Sequence, residues 1–487
     1  MALLDQYGTP LRFAHAASRN RYRGPVFPRR NRGIDELIPE HDRGTLASLS
    51  RRLFTNMGVP RAAIVQKGTY SVGEAWLPKY EGADKEAGEA AEKWLRSSFL
   101  PVCDIRGGLH DWHCLLQLVS VAIDRDGDAF VVLTSENVNG VEFPRLQHLP
   151  GHLVQTKNDE KEVQNGRYRG RPIRDGIIYD RRRRPVAYRV SRGEQPHEYI
   201  EIPARAVIHL YDPTYQEQGR GLPSFTHALE DLKHCLKSTE DERVRQAMLS
   251  SIGLIEHNEL GGPDLNDPSQ VLSADTTANE GLAITDYDGG KIRYFEAGSG
   301  GKIEQIKHES PGQIWENFHD RMIRASLVGA GWSYSLVWKP AGQGTAERAE
   351  VERARRAITA RQSLLWHLAM RATSYAVSYA IKAGQLPALD SPMAWTFSRP
   401  PRLTVDDGRE LKSQMDAWRA GAVNMTEIVE GRGDTIEEHY DRRAEEIALR
   451  EKARIAAEER HGVSIDPREM AMLTPNEQPQ ADEPSTD

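Results

Sequence analysis

Asp175–Val190 reads DGIIYDRRRRPVAYRV, and Ile202–Phe225 reads IPARAVIHLYDPTYQEQGRGLPSF. Both stretches hold short runs of Val, Ile and Tyr between Gly, Asp and Arg residues, the pattern of strands joined by turns. We predict strands at Gly176–Tyr179, Pro185–Val190 and Ala206–Leu210. Arg181–Arg184 then form a solvated hairpin turn, with contact to phosphate as the alternative.

The preceding residues extend this pattern. They predict a further strand at Ala129–Thr134 and helices around Leu46–Phe54 and Lys85–Phe99. A small sheet flanked by helices would bury both kinds of element, so residues 34–223 predict an α+β region.

After Gly221 the apolar residues recur at helical spacing. Residues 224–252 predict one long helix, with the periodic positions Leu229, Leu232, Leu236, Val244 and Met248. Residues 253–309 are rich in Gly, Asn, Asp and Pro around short strands such as Lys291–Phe295, which predicts an inserted small module. Ser310 and Pro311 then suit the start of a second helix, through Gly329, with Ile314, Phe318 and Met322 on one face.

Residues 330–346 predict an exposed loop, followed by a very long helix at about Glu347–Lys382. The loop carries Trp332, Ser333, Tyr334, Trp338, Lys339 and Gln343. A helix so far above the average of about 11 residues should owe its length to packing against other chains. A Pro-rich break at Ser391–Pro401 leads to two more helices, near Gly408–Ala422 and Thr435–Arg460.

Composition limits the classes of function. The chain has 487 residues, 39% of them hydrophobic, and a formal net charge of −7. This length suits several domains, no apolar run approaches the roughly 18 residues of a membrane helix, and the charge argues against general electrostatic binding of nucleic acid. The default location is the cytoplasm.

The two ends of the chain differ from its middle. Residues 1–33 carry seven arginines against one acid, which predicts a basic arm that docks on a neighbouring chain. A transit peptide and a nucleic-acid contact are the alternatives. Residues 466–487 form an acidic, Pro-containing tail with too little apolar content to fold.

No catalytic motif is found. The sequence GGKI at 289–292 and at 300–303 lacks the hydroxyl residue that a phosphate-binding P-loop places on its metal ion. Cys103, His110, His113 and Cys114 lack zinc-site spacing, and Asp124, Asp126 and Asp128 suit a turn before a strand better than a truncated calcium loop. With Cys235, the cysteines are too few and irregular for a disulfide framework and suit small buried residues. We expect no enzyme, metal or cofactor.

Several segments together resemble the lambda-like family of bacteriophage portal proteins. Leu49–Gly73, which contains SRRLFTNMGVPRAAIVQKGTYSVG, is similar to the family's Arg-rich helix and the short strand after it. Trp94–Leu133 resembles its W…CD…G…LQ…DGD segment, with Trp94, Cys103, Asp104, Gly107, Leu116, Gln117, Asp126, Gly127 and Asp128. The two opening stretches resemble its hairpin and its Arg-Gly signature, and the likeness continues through MIRASLVGAGWSYSLV from Met322 and GAVNMTEIVEGRGDTIEEHYDRRAEE from Gly421.

This resemblance implies a portal fold, with long helices around an axial channel in a homo-oligomeric ring of twelve subunits. The expected regions are a wing at 34–223, stem helices at 224–252 and 310–329, a clip at 253–309, a channel loop at 330–346, a long wing helix and connection at 347–400, and a crown at 401–465. It further implies a place at one capsid vertex of the virion, with double-stranded DNA in the channel. Expected partners are the terminase large subunit, a head-tail adaptor, the major capsid protein and a scaffold, and the chain meets no membrane. A head-tail adaptor ring without motor docking is the alternative.

Overall fold

The computed structural model describes residues 33–73, 76–138, 140–156, 160–191, 198–250, 312–339, 344–398, 400, 403, 407–430, 436–462 and 464, and the backbone of four strands between 252 and 304. The basic arm, the acidic tail, Ser310, Pro311 and Gln343 lie outside these residues, as does the Met248 side chain.

The first half alternates helices and strands. Its helices are α1 (Ile34–Leu37), α2 (Glu40–Asn56), α3 (Gly58–Val72), α4 (Lys85–Trp94), which continues into a π-helical turn at Leu95–Phe99, and α5 (Trp112–Asp126). Its strands are β1 (Pro78–Tyr80), β2 (Asp128–Val138), β3 (Val141–Leu149), β4 (Ile173–Arg174), β5 (Ile177–Tyr179), β6 (Pro185–Ser191), β7 (Tyr199–Pro203) and β8 (Val207–Tyr211). The α+β prediction is confirmed, and the strands predicted at 129–134, 176–179, 185–190 and 206–210 are present.

The second half holds the long helices. They are α6 (Leu229–Ser250), α7 (Gln313–Gly329), α8 (Gly344–Lys382), α9 (Asp407–Arg419), α10 (Met425–Glu430) and α11 (Ile436–His461). Between α6 and α7 lie β9 (Ile252–Asn258), β10 (Ile284–Tyr287), β11 (Gly290–Glu296) and β12 (Lys302–Glu304), and β13 (Trp395–Phe397) follows α8.

The strands form four small sheets. β2 is the centre of one, paired antiparallel with β3 and β8, while β4, β5, β6 and β7 form a second in sequence order. The inserted strands pair in the order β10-β11-β9-β12, and β1 pairs with β13. The β1–β13 pair joins segments more than 300 residues apart, so local sequence gives no sign of it.

The prediction of a short strand before Gly73 is wrong, because those residues form α3. Its buried positions include Val59, Ala63, Ile64 and Val72, which recur with the period of a helix and not with the alternation of a strand. This face packs on α5 and α8.

Helix α8 packs along much of its length within the chain's own interior, and its packing against other chains stays a prediction. Its first half contributes Ala354 and Ile358 to one apolar core, shared with α2, α3, α6 and α7. Its second half contributes residues such as Leu365 and Val377 to another core, shared with α4, α5, β2 and β3. One helix of 39 residues, about 58 Å at 1.5 Å per residue, therefore ties two cores together.

Arg361 lies on α8 where the two cores meet, with only 2% of its surface exposed. Its guanidinium donates to the Asp124 carboxylate at 2.7 Å and to the Ser120 backbone carbonyl at 3.0 Å. Lys67 reaches the same carboxylate at 3.1 Å. Burial alone would raise the pKa of Asp124, but Arg361 and Lys67 outweigh it and hold the pKa below its usual range.

The aspartates that follow are also held by arginines. Asp126 accepts from Arg51 at 2.7 Å and from Arg125, and Asp128 accepts from Arg220. The turn between them depends on Gly127, which has φ 98°, and a Cβ there would lie 2.8 Å from the backbone of Gly221. The turn expected before this strand is therefore present, and arginines occupy the carboxylates that the calcium alternative required.

We predict that Arg361→Met will destabilise the chain by about 3 kcal/mol or more, because it removes one partner of a buried charge pair. Arg356→Met is the matched control, since this arginine on the same helix has 81% of its side chain exposed and should change stability by less than about 0.5 kcal/mol. Denaturant unfolding at one fixed protein concentration measures both. Equal unfolding midpoints for the two variants would contradict the assignment of Arg361 as the junction of the cores.

Candidate functional site

Helices α6 and α7 lie side by side through a row of polar and sulfur contacts. Trp315 Nε1 donates to Ser238 Oγ at 2.7 Å, Thr239 Oγ1 lies 3.2 Å from His319 Nε2, and Cys235 Sγ lies 3.9 Å from Met322 Sδ. Residues later in α6 thus meet residues earlier in α7, so the helices run antiparallel. The strands β9–β12 follow α6 and precede α7.

The predicted apolar positions on these helices divide into two groups. Leu229 and Leu232 are buried in the core shared with α2 and α3, and Leu236 and Met322 are partly buried. Val244, Ile314 and Phe318 are exposed, by 59%, 87% and 62%. The start of α6 is therefore anchored in the chain, whereas Val244, Ile314 and Phe318, farther along the pair, are not covered by the residues that the structure describes.

The exposed apolar residues of α7 lie along one line on the helix surface. Ile314, Phe318, Ala325 and Val328 are exposed and separated by steps of four, seven and three residues, which places them on one side of the helix. The adjacent side carries Trp315, His319 and Met322 toward α6. We call this exposed line the α7 stripe.

The loop expected after α7 begins inside the protein. Gly331 has φ 72° and its N–H bonds to the Val328 carbonyl, so the chain reverses and inserts the next residue inward. Trp332 is 1% exposed and stacks on Tyr70 at 6.4 Å between ring centroids. Ser333 is fully buried, and its hydroxyl donates to Glu350. These two side chains are buried and anchor the start of the loop to the core, so the loop is not exposed along its whole length.

The rest of this segment is held by one carboxylate of α7. Oδ1 of Asp320 accepts from the Tyr334 hydroxyl at 2.5 Å and the Trp338 indole N–H at 2.8 Å, and lies 3.2 Å from the Lys339 ammonium. Arg324 lies over the Tyr334 ring, 5.6 Å from its centroid. Tyr334, Trp338 and Lys339 therefore converge on one side of α7.

The convergence shifts two ionisation equilibria. Burial alone would raise the pKa of Asp320, but the hydrogen bonds from Tyr334, Lys339 and Trp338 lower it. Burial and the bond to Asp320 both raise the pKa of the Tyr334 phenol. The carboxylate is therefore charged and the phenol neutral near pH 7, so the contact is a charge-assisted hydrogen bond.

Sequence reasoning named Tyr334, Trp338 and Lys339 but missed Asp320, Trp315 and His319. A carboxylate on a helix face, four residues before Arg324, suggests a solvated charge and gives no sign of three partners beyond the helix end. The spacing of Trp315 and His319 would have indicated neighbours, since residues four apart share one face, and their rings do stack at 5.0 Å.

An open cleft of about 600 Å³ lies beside the start of this segment, lined by Gly331, Lys67, Arg361, Arg353 and Glu352 among others. Its two deep cations, Lys67 and Arg361, already neutralise Asp124. Arg353 and Arg356 pair with glutamates along α8, and Asp212 is exposed, so among the described residues the cleft offers no unpaired buried charge to a ligand.

In the part of the chain that the structure describes, no three His, Cys, Asp or Glu side chains are placed to share a metal ion, and no helix has the length and apolar content to cross a membrane. Cys103, His110, His113 and Cys114 lie around the start of α5, where His113 contacts the Gly73 carbonyl and Cys114 lies 3.7 Å from His110.

Comparison with known proteins decides the family. A model described as phage portal protein, lambda family, matches residues 23–362, more than two thirds of the chain. The chain belongs to this family. The matched range of the portal protein family includes the α6–α7 pair, the segment held by Asp320 and the first part of α8.

Solved structures give more distant likenesses to this portal family member. They include the neck of a native GTA particle computed with C12 symmetry, at 13% identity over 80% of this chain and 93% of that chain, with a TM-score of 0.45. The virion of a native gene transfer agent particle matches at 13% identity over 80% of this chain and 94% of that chain, with a TM-score of 0.43. The neck of an empty GTA particle computed with C6 symmetry matches at 14% identity over 87% of this chain and 98% of that chain, with a TM-score of 0.46. No curated protein matches the chain.

We predict that Asp320→Asn will loosen the segment from 334 to 339, because the amide loses the ion pair with Lys339 and accepts weaker hydrogen bonds. The Trp338 amide, which bonds to the Tyr334 carbonyl, should exchange its hydrogen at least several-fold faster. Acid should act in the same direction: the pKa of Asp320 is depressed in the fold, so this stabilisation is present above the ordinary carboxylate pKa and is lost as pH falls through the lowered value.

Hydrogen exchange followed by mass spectrometry measures the change. Glu316→Gln is the matched control, since it neutralises an exposed carboxylate one turn earlier on α7 and should leave exchange in this segment unchanged. Unchanged protection in Asp320→Asn would show that Trp332 alone positions the segment.

Proposed function

We propose that this chain is one subunit of a closed ring at a capsid vertex, through which double-stranded DNA passes during packaging and ejection. The observation that carries the proposal is the family match over residues 23–362, which includes both long hairpin helices. A structural role, with no catalysis, also agrees with the absence of a nucleotide-binding motif in the sequence.

The regions of the ring follow from the order of elements. We assign residues 34–223 to the wing, α6 and α7 to the stem, β9–β12 to the clip, residues 330–346 to the channel loop, 347–400 to the returning wing helix and connection, and 401–465 to the crown. Helices of 22 and 17 residues would give a stem about 33 and 26 Å long at 1.5 Å per residue. This is enough for a wall around an axial channel.

The α7 stripe supports assembly of identical subunits. Ile314 and Phe318 are the most exposed large apolar side chains of α7, and the helix contacts α6 through Trp315, His319 and Met322. Exposed apolar lines of this kind mark interaction surfaces. In a ring, each stripe would lie against the α6–α7 pair of the next subunit. Val244, which is exposed on α6, would be part of the same contact.

The channel segment would have little net attraction for DNA. Lys339 is its one cation among the described residues, and Asp320 pairs with it at 3.2 Å. Repetition of a chain with net charge −7 around a ring adds long-range repulsion of phosphate. We infer that DNA slides through this surface without adhering to it.

The finer parts of the proposal concern number and partners. Portal function would imply a ring of twelve subunits that contacts the major capsid protein. The ring would first dock the terminase large subunit and then a head-tail adaptor. The energy for DNA movement would come from the separate motor, because this sequence has no P-loop. Assembly would occur in the host cytoplasm before the ring becomes part of the virion.

We predict that Ile314→Ser combined with Phe318→Ser will prevent ring closure while the single chain stays folded. Burying two such side chains is worth about 3–6 kcal/mol, so each contact between subunits should weaken more than about 100-fold. Both residues are exposed in the single chain, so thermal unfolding of the monomer should change little.

Sedimentation velocity and particle images measure assembly. Glu316→Ser combined with Asn317→Ser is the matched control, because it alters exposed polar residues of the same helix and should leave rings intact. Rings that persist in the Ile314 and Phe318 double variant would place the contact elsewhere. A wild-type chain that remains monomeric at every concentration would contradict the proposed function.

A further inference from the structure

One region of the chain carries charge of the opposite sign to the whole. Residues 160–191 hold ten Lys and Arg side chains against four Asp and Glu, a net charge of +6, whereas the whole chain has −7. The proposed channel and stem use none of these residues. Their concentration in one small sheet therefore calls for a separate role.

The strand pairing brings the two Arg-rich turns of this region to one end of the sheet. Val163 donates its N–H to the Arg171 carbonyl at 2.9 Å, and Gly170 donates to Val163 at 2.8 Å, so residues 161–163 pair with 170–173. β4 then pairs with β5 and β5 with β6, each antiparallel. Because alternate connections of antiparallel strands lie at the same edge, the loop at 164–169 and the turn at 180–184 project together.

Arg171 lies at this edge as well. The Pro172 carbonyl accepts from the Tyr179 N–H at 2.9 Å, which places Arg171 opposite the first residue of the 180–184 turn. Six exposed arginines thus gather at one end of the sheet, which we call the arginine edge: Arg167, Arg169, Arg171, Arg181, Arg182 and Arg183.

The arginine edge is not neutralised from within. None of its six members forms an ion pair with another residue that the structure describes. Asp180, the acid within the turn, is already committed: it accepts from the N–H groups of Arg182 and Arg184 at 2.8 Å each and pairs with the Arg184 side chain at 2.8 Å. Positive charge is therefore left for an external partner.

The surroundings favour a polyanion over a folded protein surface. Protein interfaces bury an apolar centre, yet between residues 160 and 191 no large apolar side chain is exposed. The aromatic side chain at the edge, Tyr168, is 8% exposed and lies beneath Arg167 and Arg171, whose guanidiniums are 5.8 and 6.0 Å from its ring centroid. The ring holds two cations in place and offers no apolar contact of its own.

The density and type of charge match a nucleic-acid backbone. Guanidinium groups bind phosphate through paired, parallel hydrogen bonds, which an ammonium cannot do. Duplex DNA presents one negative charge per roughly 1.7 Å of its length, so several arginines at one edge can contact adjacent phosphates at once.

We propose that the arginine edge binds the phosphate backbone of duplex DNA without sequence preference, at a surface distinct from the channel. The choice of DNA as the polyanion rests on the proposed portal function, whereas the site itself rests on the geometry of the sheet. The proposed contact is confined to this edge. DNA binding there is therefore compatible with a channel that has no unpaired positive charge.

Fluorescence anisotropy with the full chain and a labelled 30-base-pair duplex tests the proposal across a series of salt concentrations. The variant Arg181→Ser, Arg182→Ser, Arg183→Gly clears one turn, with Gly at position 183 because Arg183 has φ 60°. Affinity should fall about tenfold or more at low salt, and the slope of log affinity against log salt should drop by about 2 to 3, since each phosphate contact contributes about 0.9.

A second variant, Arg167→Ser with Arg169→Ser, clears the other turn and should also lower both quantities. The matched control Arg443→Gln, Lys452→Gln, Arg460→Gln removes three exposed cations from α11 and should leave affinity and slope as in the wild type. Circular dichroism checks that each variant is folded, and particle images check rings, which should form normally in all three.

Three results would overturn the inference. Equal losses in the control and the edge variants would show that net charge alone governs binding. Binding unchanged in both edge variants but lost on removal of residues 1–33 would assign the DNA contact to the basic arm. Edge-dependent binding of polyglutamate, without edge-dependent binding of DNA, would make the partner an acidic protein segment. Because rings are scored separately, failure here leaves the proposed function standing.

Discussion

Three buried aspartates within five residues, Asp124, Asp126 and Asp128, form the constraint on which the rest of the structure depends. Removing a carboxylate from water costs several kcal/mol unless a cation meets it with good geometry. Each therefore fixes the position of a distant segment: α3 and α8 at the first, α2 at the second, and the chain before α6 at the third. These four ion pairs leave one mutual arrangement of the segments.

A close approach of backbones reinforces this arrangement. Gly221 lies so near Gly127 that a Cβ on it would meet the Gly127 carbonyl at 1.8 Å. Arg220, beside it, reaches Asp128 and also donates to the carbonyls of Val154 at 2.9 Å and Asp175 at 2.8 Å. The Asp-Gly-Asp and Arg-Gly segments, 92 residues apart, are thus two halves of one contact that joins the helical core to the β2–β3–β8 sheet and the β4–β7 sheet.

This arrangement of buried segments holds the parts of the chain that carry the exposed apolar and charged side chains. The start of α6 and the end of α7 are buried in this arrangement, so the far part of the pair can present apolar side chains without collapsing onto its own chain. The channel segment is anchored at Trp332 and held by Asp320 in the same way. Charge is segregated as well: the channel cation is paired, while the arginine edge is not. Under the two proposals, a net acidic protein would contact DNA at the arginine edge and repel it in the channel.

The sequence alone determined the order and type of the long elements, because helical and strand periodicities report which faces are buried wherever the pattern is long enough. It predicted α6, α7, α8 and the hairpin around Arg181–Arg184, and its motifs indicated the family. Only the tertiary structure decided that Trp332 and Ser333 are interior, that α8 serves two cores of its own chain, that Gly58–Val72 is helical, and that Asp320 holds three partners. Each of these depends on which distant residue supplies a charge, a hydrogen bond or an apolar surface, and no local pattern in the chain encodes that choice.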